Sequence, residues 1–303
     1  MDKLKAMETV VRIEDAGSLT AAARTLGVSL PAVVRTLAAL EAHLAVRLFH
    51  RTTRRVVPTE EGRQYIEQCR QLLQAIDDTE AELTADAVQL RGPLTVTAPV
   101  LFGRMYVAPA ITRFLQHHGQ VRVALRLQDQ LVDLLEEQVD LGIRIGVLED
   151  SSLIAQPLGH VRRIVAASPA YLAQHAVPLH PRDLLQTNCL GFSAGPGRGW
   201  SFDEDRHSFS VPVQGNLECN QVGPLLDACL AGLGFGMFLS YQIAPYLQQG
   251  LLQAVLESFE PPPRPLHIVY PHARRLPGRT RALIAWLKQE LRRGSWCCTT
   301  DPA

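Results

Sequence analysis

Six arginines against one acid stand between Arg24 and Thr59: Arg24, Arg35, Arg47, Arg51, Arg54 and Arg55, opposed by Glu41 alone, a local net charge of +5. A guanidinium is planar, always charged and donates in a fork, so it suits phosphate oxygens or the O6/N7 edge of guanine. From Glu60 to Asp86 the sign reverses. Arg63 and Arg70 meet Glu60, Glu61, Glu67, Asp77, Asp78, Glu80, Glu82 and Asp86, a net of −6. The 303-residue chain as a whole has zero net charge, which argues against indiscriminate coating of nucleic acid. A basic head on an acidic stalk instead predicts a localised footprint on DNA.

The arginines need elements to aim them. Leu4, Met7, Val10 and Val11, with Ala6, recur at helical spacing and predict a helix from Lys3 to Asp15. Gly17 stops it, and Ser18 is expected to cap an Ala-rich helix to Leu26 with Leu19, Ala22, Ala23 and Leu26 inward. Alanines there let two helix axes approach closely. After the break Gly27-Val28-Ser29-Leu30, Ser29 is expected to cap a third helix from Pro31 to about Leu44. Pro31 suits its first turn, where the missing N–H would be unpaired anyway. Val33, Leu37, Leu40 and Leu44 should face the core, leaving Pro31, Ala32, Arg35, Thr36, Ala39 and His43 outward and Leu30 and Val34 at the edge.

Arg35 is the strong donor in the N-terminal half of that outer face. Thr36 offers a hydroxyl to phosphate or base, and Leu30, Ala32 and Val34 offer apolar contact to a thymine methyl. A basic hairpin, Arg51-Thr52-Thr53-Arg54-Arg55, follows on the anchors Leu48 and Phe49, and suits phosphates or a narrow minor groove. This order reads as a winged helix-turn-helix.

Thr59 is placed to cap a long helix running to Leu90, with Glu60 and Glu61 at its positive end. Cys69, Leu73, Ile76, Leu83, Ala87 and Leu90 recur by fours and threes, with Glu80 the polar intruder. Such a heptad seam predicts dimerisation through Cys69, Leu73, Ile76, Leu83 and Ala87; packing on its own domain is the alternative. Arg91-Gly92-Pro93 then marks a domain boundary.

Beyond it short apolar strands alternate with helices. Strands are expected at Leu94–Ala98, Val121–Leu127, Val139–Gly146, Arg163–Ala167, Cys189–Phe192, Phe209–Val213, Phe235–Leu239, Leu251–Val255 and Leu266–Tyr270. Helices are expected at 103–116, 129–138, 182–185, 222–231, 241–248 and 279–291. The class is α/β, doubly wound, and such sheets bind ligands outside the carboxyl ends of their strands. That rule selects Pro99, Val100, Leu101 and Phe102, and Arg144 and Ile145. Arg144 either clamps a carboxylate of a ligand or sits inward beside a neighbouring acid. Phe102 and Phe238 suit an apolar effector or the core, and Ser193, Asn220 and Gln221 offer neutral hydrogen bonds near strand ends. Gly195-Pro196-Gly197-Arg198-Gly199 lacks the context of a phosphate cradle and reads as a loop.

Taken together, Ala16-Gly17-Ser18-Leu19-Thr20-Ala21-Ala22-Ala23, Leu26-Gly27-Val28-Ser29, Val33, Arg35, Leu40-Glu41, Leu44, Leu48-Phe49-His50-Arg51-Thr52-Thr53-Arg54 and Thr59-Glu60-Glu61-Gly62 closely resemble the head of LysR-type transcriptional regulators. A weaker resemblance reaches about Leu291 through Leu94–Pro99, Asp140–Gly146, Ala170-Tyr171-Leu172, Pro181–Leu184 and Ala231–Gly234. The resemblance implies a DNA-binding domain at 1–58, a dimerising linker helix at 59–90 and a two-lobed domain like periplasmic solute-binding proteins at 91–292. Lobe I would take 91–162 and 266–292, lobe II 163–265, with a flexible tail at 293–303. It implies an operator as partner, contacted by Ser18, Thr20, Ser29, Leu30, Pro31, Val34, Arg35, Thr36, Arg51, Thr52, Thr53, Arg54 and Arg55. It also implies a small-molecule effector in the cleft, a homodimer or homotetramer, and contact with RNA polymerase. Two residues depart from the family pattern: Val34 stands where Ser is usual, and Ala45 where Gly is usual.

Other classes are less well served. No Ser/His/Asp order, metal-ligand cluster or paired acid set suggests an enzyme, a metal or a cofactor. A cytoplasmic receptor without specific DNA binding would leave the basic head idle. A cytoplasmic location is expected, since no secretory h-region or membrane-length apolar run is present. The six cysteines (Cys69, Cys189, Cys219, Cys229, Cys297, Cys298) are then expected to be reduced thiols.

Overall fold

Asp2 opens α1 (Lys3–Ala16) by accepting the Lys5 N–H at 3.2 Å, and Gly17 closes it in the left-handed conformation at φ 62°. In this computed structural model the stripe that α1 buries is Ala6, Thr9, Val10, Val11 and Ile13, whereas Leu4 is 48% exposed. The expected stripe was therefore rotated: Leu4 lies before the first full turn has a neighbour, and Ile13 takes its share of the core. The structure describes residues 1–51, 56–83, 90–130, 132–148, 153–193, 199–271 and 276–292, in two units, Met1–Val88 and Gln89–Ala303.

In the first unit α2 (Leu19–Thr25) and α3 (Leu30–Leu44) follow α1, and the axis bends by 108° between them. That lies within the range of helix-turn-helix pairs. Ala22 and Ala23 are buried, so α2 can lie close against its neighbours. Strands β1 (Phe49–Arg51) and β2 (Val56–Pro58) pair antiparallel, and α4 (Glu60–Leu83) packs on α1. Ile66 and Cys69 are fully buried in the core that Val10, Ile13, Leu37 and Phe49 form, and Leu73 packs against it. This corrects the expected seam. Its first turns, Cys69 included, are an intramolecular contact, and the heptad spacing could not tell the two partners apart. Among the described residues the large apolar side chains that α4 leaves outside are Leu72 (51% exposed) and Ile76 (37%). The side chain of Leu83 and all of Ala87 lie outside the described residues.

The second unit has two lobes. Strands β3 (Gly92–Ala98), β4 (Val121–Leu127), β5 (Leu141–Ile145) and β6 (Leu153–Val161) belong to the first. Strands β7 (Arg163–Ala167), β8 (Gly191–Phe192), β9 (Trp200–Glu204), β10 (His207–Val211), β11 (Glu218–Cys219), β12 (Gly236–Leu239) and β13 (Gln253–Val255) build the second. Strand β14 (Arg264–Pro271) returns to the first, whose sheet order is β4-β3-β5-β14-β6. The pairs of β3 with β4 and β5 are parallel, and those of β14 are antiparallel. A helical run, α5 (Val100–Phe102), a π turn (Gly103–Val107) and α6 (Ala108–His117), covers one face with α10 (Gly278–Arg292). Helices α7 (Pro169–Gln174), α8 (Val222–Leu230) and α9 (Ser240–Gln248) belong to the second lobe. Its central sheet, β12-β7-β13, buries Ile164 and Ala166 on one face and Val165 and Ala167 on the other.

Three expectations change here. Residues 132–138 form turns, not a helix: the Asp133 carboxylate accepts the N–H groups of Leu135 and Glu136, and Gln138 takes φ 54°. Side-chain to backbone bonds of this kind compete with helix. Strands β6 and β9 were not expected; β9 pairs antiparallel with β10, which overlaps the strand expected at Phe209–Val213. Pro157 and Gly159 disguise β6, but it is an edge strand with an irregular register beside Leu266 and His267, where Pro is tolerated.

Candidate nucleic-acid interface and ligand cleft

The inner face of α3 is Val33, Leu37 and Leu40, with Leu44 partly covered. Helical geometry then turns Pro31, Arg35, Ala38, Ala39, Ala42 and His43 to solvent, with Ala32, Val34 and Thr36 half-buried at the margins. Ser18 accepts the Ala21 N–H at 3.4 Å, so it is a cap first, and Thr20 stands exposed beside it. Ser29 occupies the cap position of α3, but its hydroxyl makes no capping bond. This corrects the capping expectation and leaves an exposed serine at the helix start, where the Ala32 and Val33 N–H groups bond the Ser29 carbonyl at 3.0 and 3.2 Å and Pro31 has no N–H. Leu30 and Pro31 are exposed next to it. Ala45 adopts the left-handed conformation at φ 53° that a glycine would take more cheaply, at a cost of about 1 kcal/mol.

The acid in the basic stretch has a structural use that the sequence did not disclose. Glu41 accepts the Leu48 N–H at 2.9 Å and the Phe49 N–H at 3.3 Å, tying α3 to the start of the wing. Arg51 ends β1 opposite Val56. Thr52, Thr53, Arg54 and Arg55 lie outside the described residues. Thr59 fixes the far side of the wing. Its hydroxyl donates to the Arg47 carbonyl (2.8 Å) and accepts the Gly62 N–H (2.9 Å), while its own N–H bonds the Leu48 carbonyl (2.9 Å). Gly62 is obligatory, since a Cβ would lie 2.0 Å from the Leu48 carbonyl oxygen. Arg70, also missed, joins α4 to the end of α1 through Glu14 (2.8 Å) and Asp15.

In the second unit the strand-end positions separate into two groups. Ser193 follows β8, and Asn220 and Gln221 follow β11; these strands are parallel neighbours, so all three polar residues meet at one end. Pro99, Val100 and Leu101 are half-buried at the start of the helical run, and Ile145 packs on the lobe I core. Three residues are not where a ligand would need them. Phe102 is completely buried against Tyr106 and Tyr241, and Phe238 belongs to the lobe II core. Arg144, 6% exposed, donates to the Val132 carbonyl at 3.2 Å, and burial lowers its pKa despite the nearby Glu137. It holds the turn at 132–138 rather than facing a cleft. Gln128, at the end of β4, was missed; its Nε2 is buried without a hydrogen-bond partner.

The helix start itself is already engaged. The Asp129 carboxylate accepts the Val100 N–H at 3.0 Å. The Tyr241 hydroxyl, from α9, accepts the Phe102 N–H and the Gln242 Nε2 at 3.2 Å, and burial raises its pKa far above the ordinary value. Ser240 and Arg162 exchange two further bonds, at 2.9 and 3.2 Å, so the lobes are fastened at this point. An open recess of about 660 Å³ lies elsewhere, lined by Asp203, Arg206, Ser208, Glu260 and Pro261 to Pro263. Cys69, Cys189 and Cys229 are buried, and burial pushes the thiols of Cys189 and Cys229 up to about 11 and about 12, which makes them poor nucleophiles.

A winged helix-turn-helix and a two-lobed α/β domain on one chain define a class of transcription regulator that couples a DNA-binding head to an effector-binding domain. Residues 4–63 match the bacterial regulatory helix-turn-helix protein, lysR family, and residues 87–292 match the LysR substrate binding domain. An HTH-type transcriptional repressor of Pseudomonas aeruginosa (strain UCBPP-PA14) is 34% identical over 292 residues, 95% of this chain and 92% of its own. The structure of CrgA, a LysR-type transcriptional regulator from Neisseria meningitidis, aligns with 28% identity and a TM-score of 0.62, over 95% of this chain and 98% of CrgA. The Vibrio cholerae virulence activator AphB aligns with 26% identity and a TM-score of 0.60, over 94% and 98%. The chain belongs to the LysR family of transcriptional regulators. Among the described residues no single helix is long and apolar enough to cross a membrane.

Proposed function

We propose that the head reads a dyad-symmetric operator with α3, and that a small molecule held between the lobes controls that binding. The observation that carries the first part is the start of α3: Arg35 and Ser29, whose hydroxyl makes no capping bond, are exposed there, while the opposite face of the helix is buried. Arg35 supplies the bidentate donor for a guanine edge or a phosphate, Thr36 a hydroxyl, and Leu30, Pro31 and Val34 apolar surface. With Val34 in place of Ser the interface has one hydroxyl fewer, so base discrimination rests more heavily on Arg35. The wing arginines add phosphate contacts.

Two heads are needed for a dyad. Leu72 and Ile76, one turn apart on the open side of α4, are the apolar surface we assign to pairing with a second copy. A tetramer and contact with RNA polymerase would extend the same scheme. The effector acts by population shift, favouring one lobe arrangement and thereby one spacing of the paired heads along DNA. The cytoplasm is the compartment that this function requires. The test is selection of genomic fragments by the purified protein, with the DNA upstream of its own gene included. Enrichment of a dyad motif that weakens on Arg35→Ala supports the reading; no enriched fragment refutes specific DNA binding and leaves a small-molecule receptor.

A further inference from the structure

We propose that Arg163 and Arg264 together hold a carboxylate of the effector at the point where the chain crosses between the lobes. This deepens the effector reading above and rests on it. The chain crosses twice. Arg163 is the first residue of β7, and Arg264 the first of β14, directly opposite Val161 at the end of β6. The two crossings therefore lie side by side, and each contributes one guanidinium.

The Nε of Arg163 is buried without a hydrogen-bond partner, and among the described residues neither arginine is in an ion pair. Glu260 pairs with Arg162 at 3.3 Å through Oε2, and its Oε1 is buried without a hydrogen-bond partner. Burial, and then the charge of Arg264, depress the pKa of Arg163. Two like charges held close together on half-buried side chains repel, and an anion between them relieves that repulsion. A planar carboxylate has two oxygens for two forks, which is the geometry arginine serves best.

The place is also right. Arg264 lies against Gly146, where a Cβ would come within 3.0 Å of its Nη2 and φ is 121°. Gly146 immediately follows β5, so the arginine pair borders the carboxyl end of a parallel strand, where open α/β sheets bind their ligands. The rival anion site at this face, the start of the helical run at Val100, is already filled by Asp129 and Tyr241. Arg144 is occupied by the Val132 carbonyl.

The test uses the full chain and its Arg163→Met, Arg264→Met and Arg163→Lys variants. Thermal unfolding is followed while malonate replaces chloride at constant ionic strength. The wild type should show a saturable rise in Tm, since a ligand that binds only the folded state stabilises it by mass action. Both Met variants should lose that rise, and Arg163→Lys should raise the apparent Kd roughly tenfold or more, because an ammonium lacks the fork. Without malonate, Arg163→Met should melt no lower than the wild type, since the charge removed has no ion-pair partner among the described residues. An equal rise in all four proteins, no rise in the wild type, or a lower Tm of Arg163→Met without malonate would each overturn the proposal. A metabolite library screened against the same proteins separates this idea from the broader one. Hits that stabilise all four equally sink the arginine pair but keep an effector domain; no hits for any protein count against both.

Discussion

Replacing Gly62 by Ala sets two effects of opposite sign against each other. Gly62 lies in the first turn of α4, and on helix propensity alone Gly→Ala should stabilise by about 1 kcal/mol. The geometry says otherwise. The new methyl would sit 2.0 Å from the Leu48 carbonyl oxygen and 2.8 Å from its carbon, both backbone atoms. Relief requires the start of α4 to move away from the start of the wing by more than an ångström. That movement breaks three bonds: Thr59 N–H to Leu48, Thr59 hydroxyl to Arg47, and Gly62 N–H to Thr59. At about 1 kcal/mol each they outweigh the propensity gain and leave a net loss of about 2 kcal/mol. For a unit the size of the head this lowers Tm by about 10 °C. The assay is calorimetric or urea unfolding of the full chain, with Glu61→Ala, exposed and clear of these contacts, as the control. A G62A head as stable as the wild type, or more stable, would refute the argument from close approach. Operator affinity should fall with the stability, because β1 begins at the displaced residues.

Further outcomes follow from the same reasoning. Arg35→Ala should weaken operator binding and, if its contact is to phosphate, reduce the slope of log K against log salt by about one, as a filter-binding salt series would show. Tyr241→Phe leaves the buried Phe102 N–H without its acceptor and should cost about 1–3 kcal/mol in the C-terminal unit, measured by unfolding; no change would mean that the hydroxyl fastens nothing. His267 is held below its ordinary pKa of 6.5 by burial and by His160. The unfolded state therefore binds the proton more readily, so stability is full above 6.5 and declines as pH falls below it, and His267→Gln should flatten that part of the stability–pH curve.

Most of the head was legible because its signals are local. Caps, breaks and the 3.6-residue period of Val33, Leu37 and Leu40 specify both the helix and its inner face. Where the reading failed, the missing fact was tertiary. A heptad at Cys69 and Leu73 describes a sticky stripe equally well whether α1 or another chain covers it. A central strand buried on both faces gives no alternation, so nothing near Arg144 reveals that its side chain turns back to Val132. Phe102 and Phe238 carry the same ambiguity between pocket and core. The arginine pair joins residues about a hundred positions apart, and no spacing rule links them; the α/β class itself was readable from the alternation of strands and helices.

The order of strands in the first lobe has a consequence for how the protein is made. Strand β14 lies between β5 and β6 and pairs with both, yet it is synthesised after the whole of the second lobe. A nascent chain that has emerged as far as Pro263 holds every strand of the second lobe but leaves the inner edges of β5 and β6 open. Unpaired edges of this kind recruit other strands. The second lobe can thus close on the ribosome before the first one, while the first waits with its sheet split in two, and any stall in that interval exposes the edges most prone to mispairing.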